Sequence, residues 1–265
     1  MDNREYGLVL AGGGTKGAFQ IGVWKALCEM GINVKGIAGA SIGALNGALF
    51  LQDDFNSTVK LYENIKISNI MKVEGVNADK NIFDLSNLFN LAADYTKQKG
   101  IDNTPLRKMI EQYIDMDKLY NSDIDFGLVT YSVKNRTPLQ KFKNEIPKEQ
   151  MIEYLLASSC FPIFKPQTID GEEYFDGGLY DNIPSNMLIE KGYKNIIIAD
   201  IAGIGFSKKS VNKDVYVKVI SPSEDLGGTF EFNHERIINN IKLGYLDTMR
   251  SFNKLQGHIY YIKPE

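Results

Sequence analysis

Three short stretches of this 265-residue sequence carry residue types that could do chemistry. The first is Gly39-Ala40-Ser41-Ile42-Gly43, a G-x-S-x-G. An apolar pair, Ile37-Ala38, leads into it, and residues 44–50 read as a buried helix, so Ser41 falls on a tight strand-to-helix turn of the kind that exposes a nucleophile. A Cβ at either glycine would crowd that turn. The turn also sets Ser41 at a helix N-terminus, where backbone N–H groups favour negative charge on its oxygen. The second stretch is Asp176-Gly177-Gly178, a carboxylate at the end of an expected strand. The third is Gly12-Gly13-Gly14-Thr15-Lys16-Gly17, which follows the apolar run of residues 6–11.

A serine hydroxyl is a poor nucleophile until a base takes its proton. Asp176 can act directly, or through His234 or His258 in the chain order of an α/β-hydrolase triad. Neither histidine is well placed. His234 opens a long helix beside Glu235, His258 enters a last short strand, and the serine turn follows only the second strand, whereas several precede it in that fold. The Ser41–Asp176 dyad is therefore the preferred reading. The glycine loop is formally a G-x-G-x-x-G between strand and helix, the dinucleotide fingerprint. However, residues 32–39 contain no acidic residue to hold a ribose, and the serine turn occupies the end of the second strand. A phosphate-binding loop of the Walker type is excluded because no Gly-Lys-Ser/Thr is present. Residues without Cβ atoms can instead aim successive N–H groups at one point, an anion nest. Beside a nucleophilic serine, the amides of Gly12, Gly13 and Gly14 would form an oxyanion hole.

The elements that must position these groups alternate. Strands are expected at 6–11, 125–133, 138–142, 195–199, 215–220 and 258–262, with a short strand-turn-strand at 167–175, besides the one entering the serine turn. Helices are expected at 18–30, 44–50, 148–159, from Pro184 to Gly192, and from about 233 to 255, the last with Ile238, Ile241, Tyr245, Met249 and Phe252 on one face. This alternation predicts an α/β fold with a largely parallel sheet. Without a repeat or linker, a single domain over 1–265 is expected, with a helical insertion at about 53–117. Within it, Phe83, Leu85, Leu88, Phe89, Leu91, Ala92 and Tyr95 form an apolar cluster that would serve either as core or as a lipid-facing cap.

Composition narrows the classes. A net charge of −3 gives no global field for nucleic acid. The start, Met-Asp-Asn-Arg-Glu-Tyr, has no secretory apolar core, so a cytoplasmic protein is expected. Two histidines far apart offer no zinc spacing. Cys28 and Cys160 lie in no C-x-x-C and read as buried thiols of a reducing compartment.

Taken in order, the glycine loop, the G-x-S-x-G and the Asp-Gly-Gly resemble the patatin-like phospholipase family, and Ala157-Ser158-Ser159 with Pro162 and Asn182-Ile183-Pro184 are similar to its flanking segments. The resemblance covers about residues 5–50 and 150–200. It implies a three-layer α/β/α sandwich and hydrolysis of a lipid acyl ester without cofactor or metal. With no apolar run long enough to span a membrane and no basic field, transient peripheral membrane contact is expected to rest on local apolar surface. By the same resemblance Ser41 would attack the acyl carbonyl, Asp176 would accept its proton, and the Gly12–Gly14 amides would hold the oxyanion. The other readings are a triad esterase and a catalytically idle lipid- or acyl-binding module. A fluorophosphonate probe should add its mass to the peptide holding Ser41; labelling of a different serine would refute the assignment.

Overall fold

The computed structural model describes residues 4–72, 100–203, 205 and 214–255. The 83–95 apolar cluster, His258 and the strand expected at 258–262 lie outside them. In the described residues the strands are β1 (Tyr6–Leu10), β2 (Val34–Ala40), β3 (Asp125–Ser132), β4 (Thr137–Phe142), β5 (Gln167–Ile169), β6 (Glu172–Asp176), β7 (Asn195–Ala199) and β8 (Tyr216–Ile220). The helices are α1 (Ala18–Glu29), α2 (Ile42–Phe50), α3 (Phe55–Asn64), α4 (Thr104–Tyr113), α5 (Met116–Asn121), α6 (Met151–Ser158), α7 (Ser185–Glu190) and α8 (His234–Ser251). All eight strands join one sheet of order β5-β6-β3-β2-β1-β7-β8, with β4 also on β3. The run from β3 to β8 is parallel, and β4, β5 and β6 are antiparallel additions at one end.

The strands alternate between two dissimilar faces. Leu8, Leu10, Ile37, Phe126 and Leu128 point into a thick helical layer that includes α1, α2 and α6. Val9, Ala38 and Ile196 point the other way, against Met187 and Leu188 of α7. On that thinner side a Cβ on Gly7 would meet Leu188 at 2.8 Å and one on Gly127 would meet Met187 at 2.7 Å, so the missing side chains let α7 lie close. These are the three expected layers, unequal in depth. No helix among the described residues is long and apolar enough to cross a membrane.

Two expectations need correction. Cys160 is buried, but Cys28 is exposed, because it shares the outward face of α1 with Lys25 and Glu29. In α8 the buried residues are Ile237, Asn240, Ile241, Gly244, Asp247 and Thr248, a stripe offset from the apolar one read in the sequence. The reason is close backbone contact with α1: a Cβ on Gly244 would lie 1.9 Å from the Phe19 carbonyl oxygen, and one on Gly22 would lie 1.9 Å from that of Ile241. The polar members of the stripe are satisfied. Asn240 donates to the Leu226 carbonyl (2.9 Å), and Asp247 accepts from the Ser223 N–H (2.7 Å) and hydroxyl (2.8 Å). Gly22→Ala or Gly244→Ala must therefore part the two helices, and each should lower unfolding free energy by about 1–3 kcal/mol in urea titrations.

Candidate active site

β2 ends at Ala40 and α2 begins at Ile42, so the whole reversal falls on Ser41, whose φ is 54° and ψ −126°. A non-glycine residue held there costs of order 1–3 kcal/mol and persists only when its surroundings impose it. They do. A Cβ on Gly39 would lie 2.4 Å from the Gly43 carbonyl, and one on Gly43 would lie 2.1 Å from the Leu10 oxygen, so only glycines let the turn close against β1. The Ser41 N–H donates to the Oγ of buried Ser158 at 3.1 Å, tying the turn to the end of α6.

The register on β3 brings Asp176 to Ser41. β2 pairs with one edge of β3 only as far as Ala40↔Val129. On the next residue the pairing passes to β6, running the opposite way, with Asp176↔Thr130. β4 pairs with residues 127–132 of β3, which leaves β2 and β6 to share the other edge end to end. Two strands thus approach head-on, one delivering the serine and the other the aspartate.

Asp176 is only 3 % exposed. Burial raises its carboxyl pKa to about 7, against hydrogen bonds from the Ser41 hydroxyl and the Gly178 N–H that favour the charged form. The Gly178 bond is 2.7 Å long. Gly177 has no room for a side chain, because a Cβ would lie 2.1 Å from the Val129 oxygen. The backbone of Asp176 is fixed by its own N–H, which donates to the Cys160 carbonyl at 2.8 Å.

Most polar groups of the glycine loop are committed to structure. The Gly12 N–H donates to the Asn182 carbonyl (3.2 Å), and the Asn182 side chain returns a bond to the Gly12 oxygen (3.1 Å). Thr15 donates to the Thr229 carbonyl from its N–H (2.9 Å) and to that of Gly228 from its hydroxyl (2.9 Å), and Lys16 Nζ donates to the Ala202 carbonyl (3.3 Å). The Gly13 and Gly14 amides are the donors left uncommitted among the described residues. Of the expected trio, the Gly12 N–H is thus spent on Asn182.

Ser41, Asp176, Gly13 and Gly14 line one cavity with about 910 Å³ of empty space, mouth included. Its other walls are mainly apolar: Ile42, Leu45, Ile65, Ile70, Leu106, Phe161, Phe164, Phe230, Phe232 and Ile237. Asn182 also lines it, and sequence reasoning gave that residue no role, although its place just after the Asp-Gly-Gly was a signal. Ser158 was likewise noted only as flanking sequence. His234 is exposed and its Nδ1 lies 2.9 Å from the Glu63 carbonyl oxygen.

The raised Asp176 pKa has a consequence for stability. Between the ordinary carboxyl value of about 3.9 and the folded value, the folded chain holds a proton that the unfolded chain has released. The contribution of this group to stability therefore falls as pH rises through that window, up to about 7. Asp176→Asn should melt higher than the unaltered protein at pH 8, with the difference shrinking towards pH 5 in scanning calorimetry. An unchanged melting point at pH 8 would mean that the carboxylate is not desolvated.

The sequence profile of the patatin-like phospholipase family matches residues 8–189. Similar curated proteins include lysophospholipase nte1 of Aspergillus terreus, 31% identical over 203 residues, and patatin-like phospholipase domain-containing protein 7 of Mus musculus, 26% identical over 195 residues. These alignments span 76% and 73% of this chain but only 12% and 13% of the relatives, which are far longer. Among solved structures, VipD from Legionella pneumophila superposes with a TM-score of 0.60 at 18% identity, over 94% of this chain and 66% of that one, a likeness of fold. With the profile spanning both the Ser41 turn and the Asp176 strand end, the chain belongs to the patatin-like phospholipase family.

Proposed function

We propose that this protein hydrolyses acyl esters of phospholipids or related lipids, with Ser41 as nucleophile and Asp176 as its base. The observation that carries the reading is the head-on meeting of β2 and β6, which sets a strained serine against a buried carboxylate beside two uncommitted amides. A carboxylate of ordinary pKa is too weak a base for a serine at neutral pH. Burial shifts Asp176 to about 7, where it is both substantially ionised and able to take a proton.

The Ser41 oxygen would add to the acyl carbonyl as its proton passes to Asp176, and the carbonyl oxygen, now negative, would be held by the Gly13 and Gly14 N–H groups. Collapse expels the alcohol of the ester, which takes the proton from Asp176. Water then attacks the acyl-enzyme, with Asp176 again accepting a proton, to release the fatty acid and restore Ser41. The apolar walls suit an acyl chain, and the family and its lysophospholipase relative support a lipid ester as substrate. The exposed position of His234 and its contact with the Glu63 carbonyl favour the dyad over a triad through that residue.

Because the base must be ionised, kcat/KM on a soluble short-chain ester should rise with pH through about 7 and then level off. Ser41→Ala and Asp176→Asn should abolish turnover, His234→Asn should leave it within a few-fold, and Gly13→Ala should cut kcat by about 10²–10³. Full activity in folded Asp176→Asn, or loss of several orders of magnitude in folded His234→Asn, would refute the dyad.

A further inference from the structure

Two side-chain amides lie fully buried in the thick helical layer: Gln20 on α1 and Asn46 on α2, each 0 % exposed. An apolar side chain would fill either place without the cost of burying an amide, which is tolerated only when its hydrogen bonds are made. Here they are made to the glycine loop. Gln20 Nε2 donates to the Ala11 carbonyl at 2.7 Å, and Asn46 Nδ2 donates to the Gly17 carbonyl at 3.0 Å. These two carbonyls bracket the loop. Asn46 Nδ2 also donates to Gln20 Oε1 (2.8 Å), so the two holds are one unit. The direction of the chain is fixed at its far end, where the Tyr62 hydroxyl donates to Asn46 Oδ1 at 2.7 Å. Burial pushes the Tyr62 phenol well above its ordinary pKa and keeps it a donor.

The placement of Asn46 gives the unit its purpose. Ser41 caps the start of α2, and Asn46 stands little more than one turn further along the same helix. Gly17 is pressed against that helix, since a Cβ there would lie 2.5 Å from Ile42 Cγ1 and 3.0 Å from Asn46 Nδ2. One short rigid body thus holds the serine at its end and the far end of the glycine loop on its side. Building on the reading of Ser41 and the loop amides given above, we propose that Gln20 and Asn46 are positioning residues that fix the Gly13 and Gly14 N–H groups relative to Ser41 through α2. Neither touches the substrate. They set the distance between nucleophile and oxyanion donors, and misplacement of such groups by about 1 Å costs about 10²-fold in rate.

The test compares Gln20→Met, Gln20→Glu, Asn46→Leu and Asn46→Asp with the unaltered protein. The Met and Leu variants remove the amide at similar volume, and the Glu and Asp variants keep its outline while exchanging the NH2 group for oxygen, so that each position has two routes to a folded variant. Hydrogen–deuterium exchange is followed on the peptide covering residues 11–17, and kcat and KM on a soluble ester. Affinity is measured for a trifluoromethyl ketone, which mimics the oxyanion adduct, and for an unreactive ether analogue. The expected result is faster exchange in that peptide by about 10-fold or more. With it should come a kcat lower by about 10²-fold at near-constant KM, and trifluoromethyl ketone affinity falling in step while the ether analogue binds as before. Unchanged exchange, or faster exchange with kcat and ketone affinity intact, overturns the proposal, as does an equal loss of ketone and ether-analogue affinity. Ser41→Ala, run alongside, separates the two levels: turnover surviving in that variant refutes the hydrolase reading, whereas the exchange measurement judges the clamp without reference to turnover.

Discussion

Water solvates a carboxylate far better than a protein interior does, and Asp176 is almost wholly withdrawn from water. Everything close to it offsets that desolvation or prevents the site from relaxing out of it. The Gly178 amide supplies one strong hydrogen bond, and Gly177 lets the chain turn flat against β3 so that the bond can form. The Ser41 hydroxyl is the other partner, and it is presented there only because its backbone is forced into a conformation that a serine would not choose. The desolvated charge and the strained turn therefore support one another across a single strand step.

That mutual support requires rigid surroundings, and the elements divide the task. β1 presses on Gly43, α6 holds the Ser41 amide through Ser158, and β3 sets the spacing of the two strand ends. Asn182 joins the Asp176 side of the site to the glycine loop by bonding both the N–H and the carbonyl of Gly12. The consequence for the loop is selective: its ends and its Thr15 are fastened, while the Gly13 and Gly14 amides, in the cavity wall, are taken up by no partner among the described residues.

Much of this was legible in the sequence because local backbone demands leave local signatures. The glycines flanking Ser41, the Asp-Gly-Gly and the parallel strands at 6–11 and 195–199 each declare themselves within a few residues. What was not legible depends on partners distant in the chain. The engagement of the Gly12 amide comes from Asn182, more than 100 positions away. The offset stripe of α8 arises because Gly22 and Gly244 let two backbones touch, so that Asn240 and Asp247 are buried while Ile238, Tyr245 and Met249 are only partly so; periodicity favours the apolar stripe by construction. The outward turn of Cys28 likewise depends on which side of α1 meets α8.

Because Ser41 and Asp176 are spaced by adjacent residues of β3, their separation in space is independent of the length of chain between them. The intervening stretch contributes much of the apolar wall, including Leu45, Ile65, Ile70, Leu106, Phe161 and Phe164. Insertions, deletions or exchanges in that stretch can reshape what the cavity accommodates while Ser41 and Asp176 stay on their two strand ends. In evolutionary terms the fold separates the inheritance of the Ser41–Asp176 geometry from that of the cavity around it, and relatives should differ most in the length and composition of the segment between the two motifs.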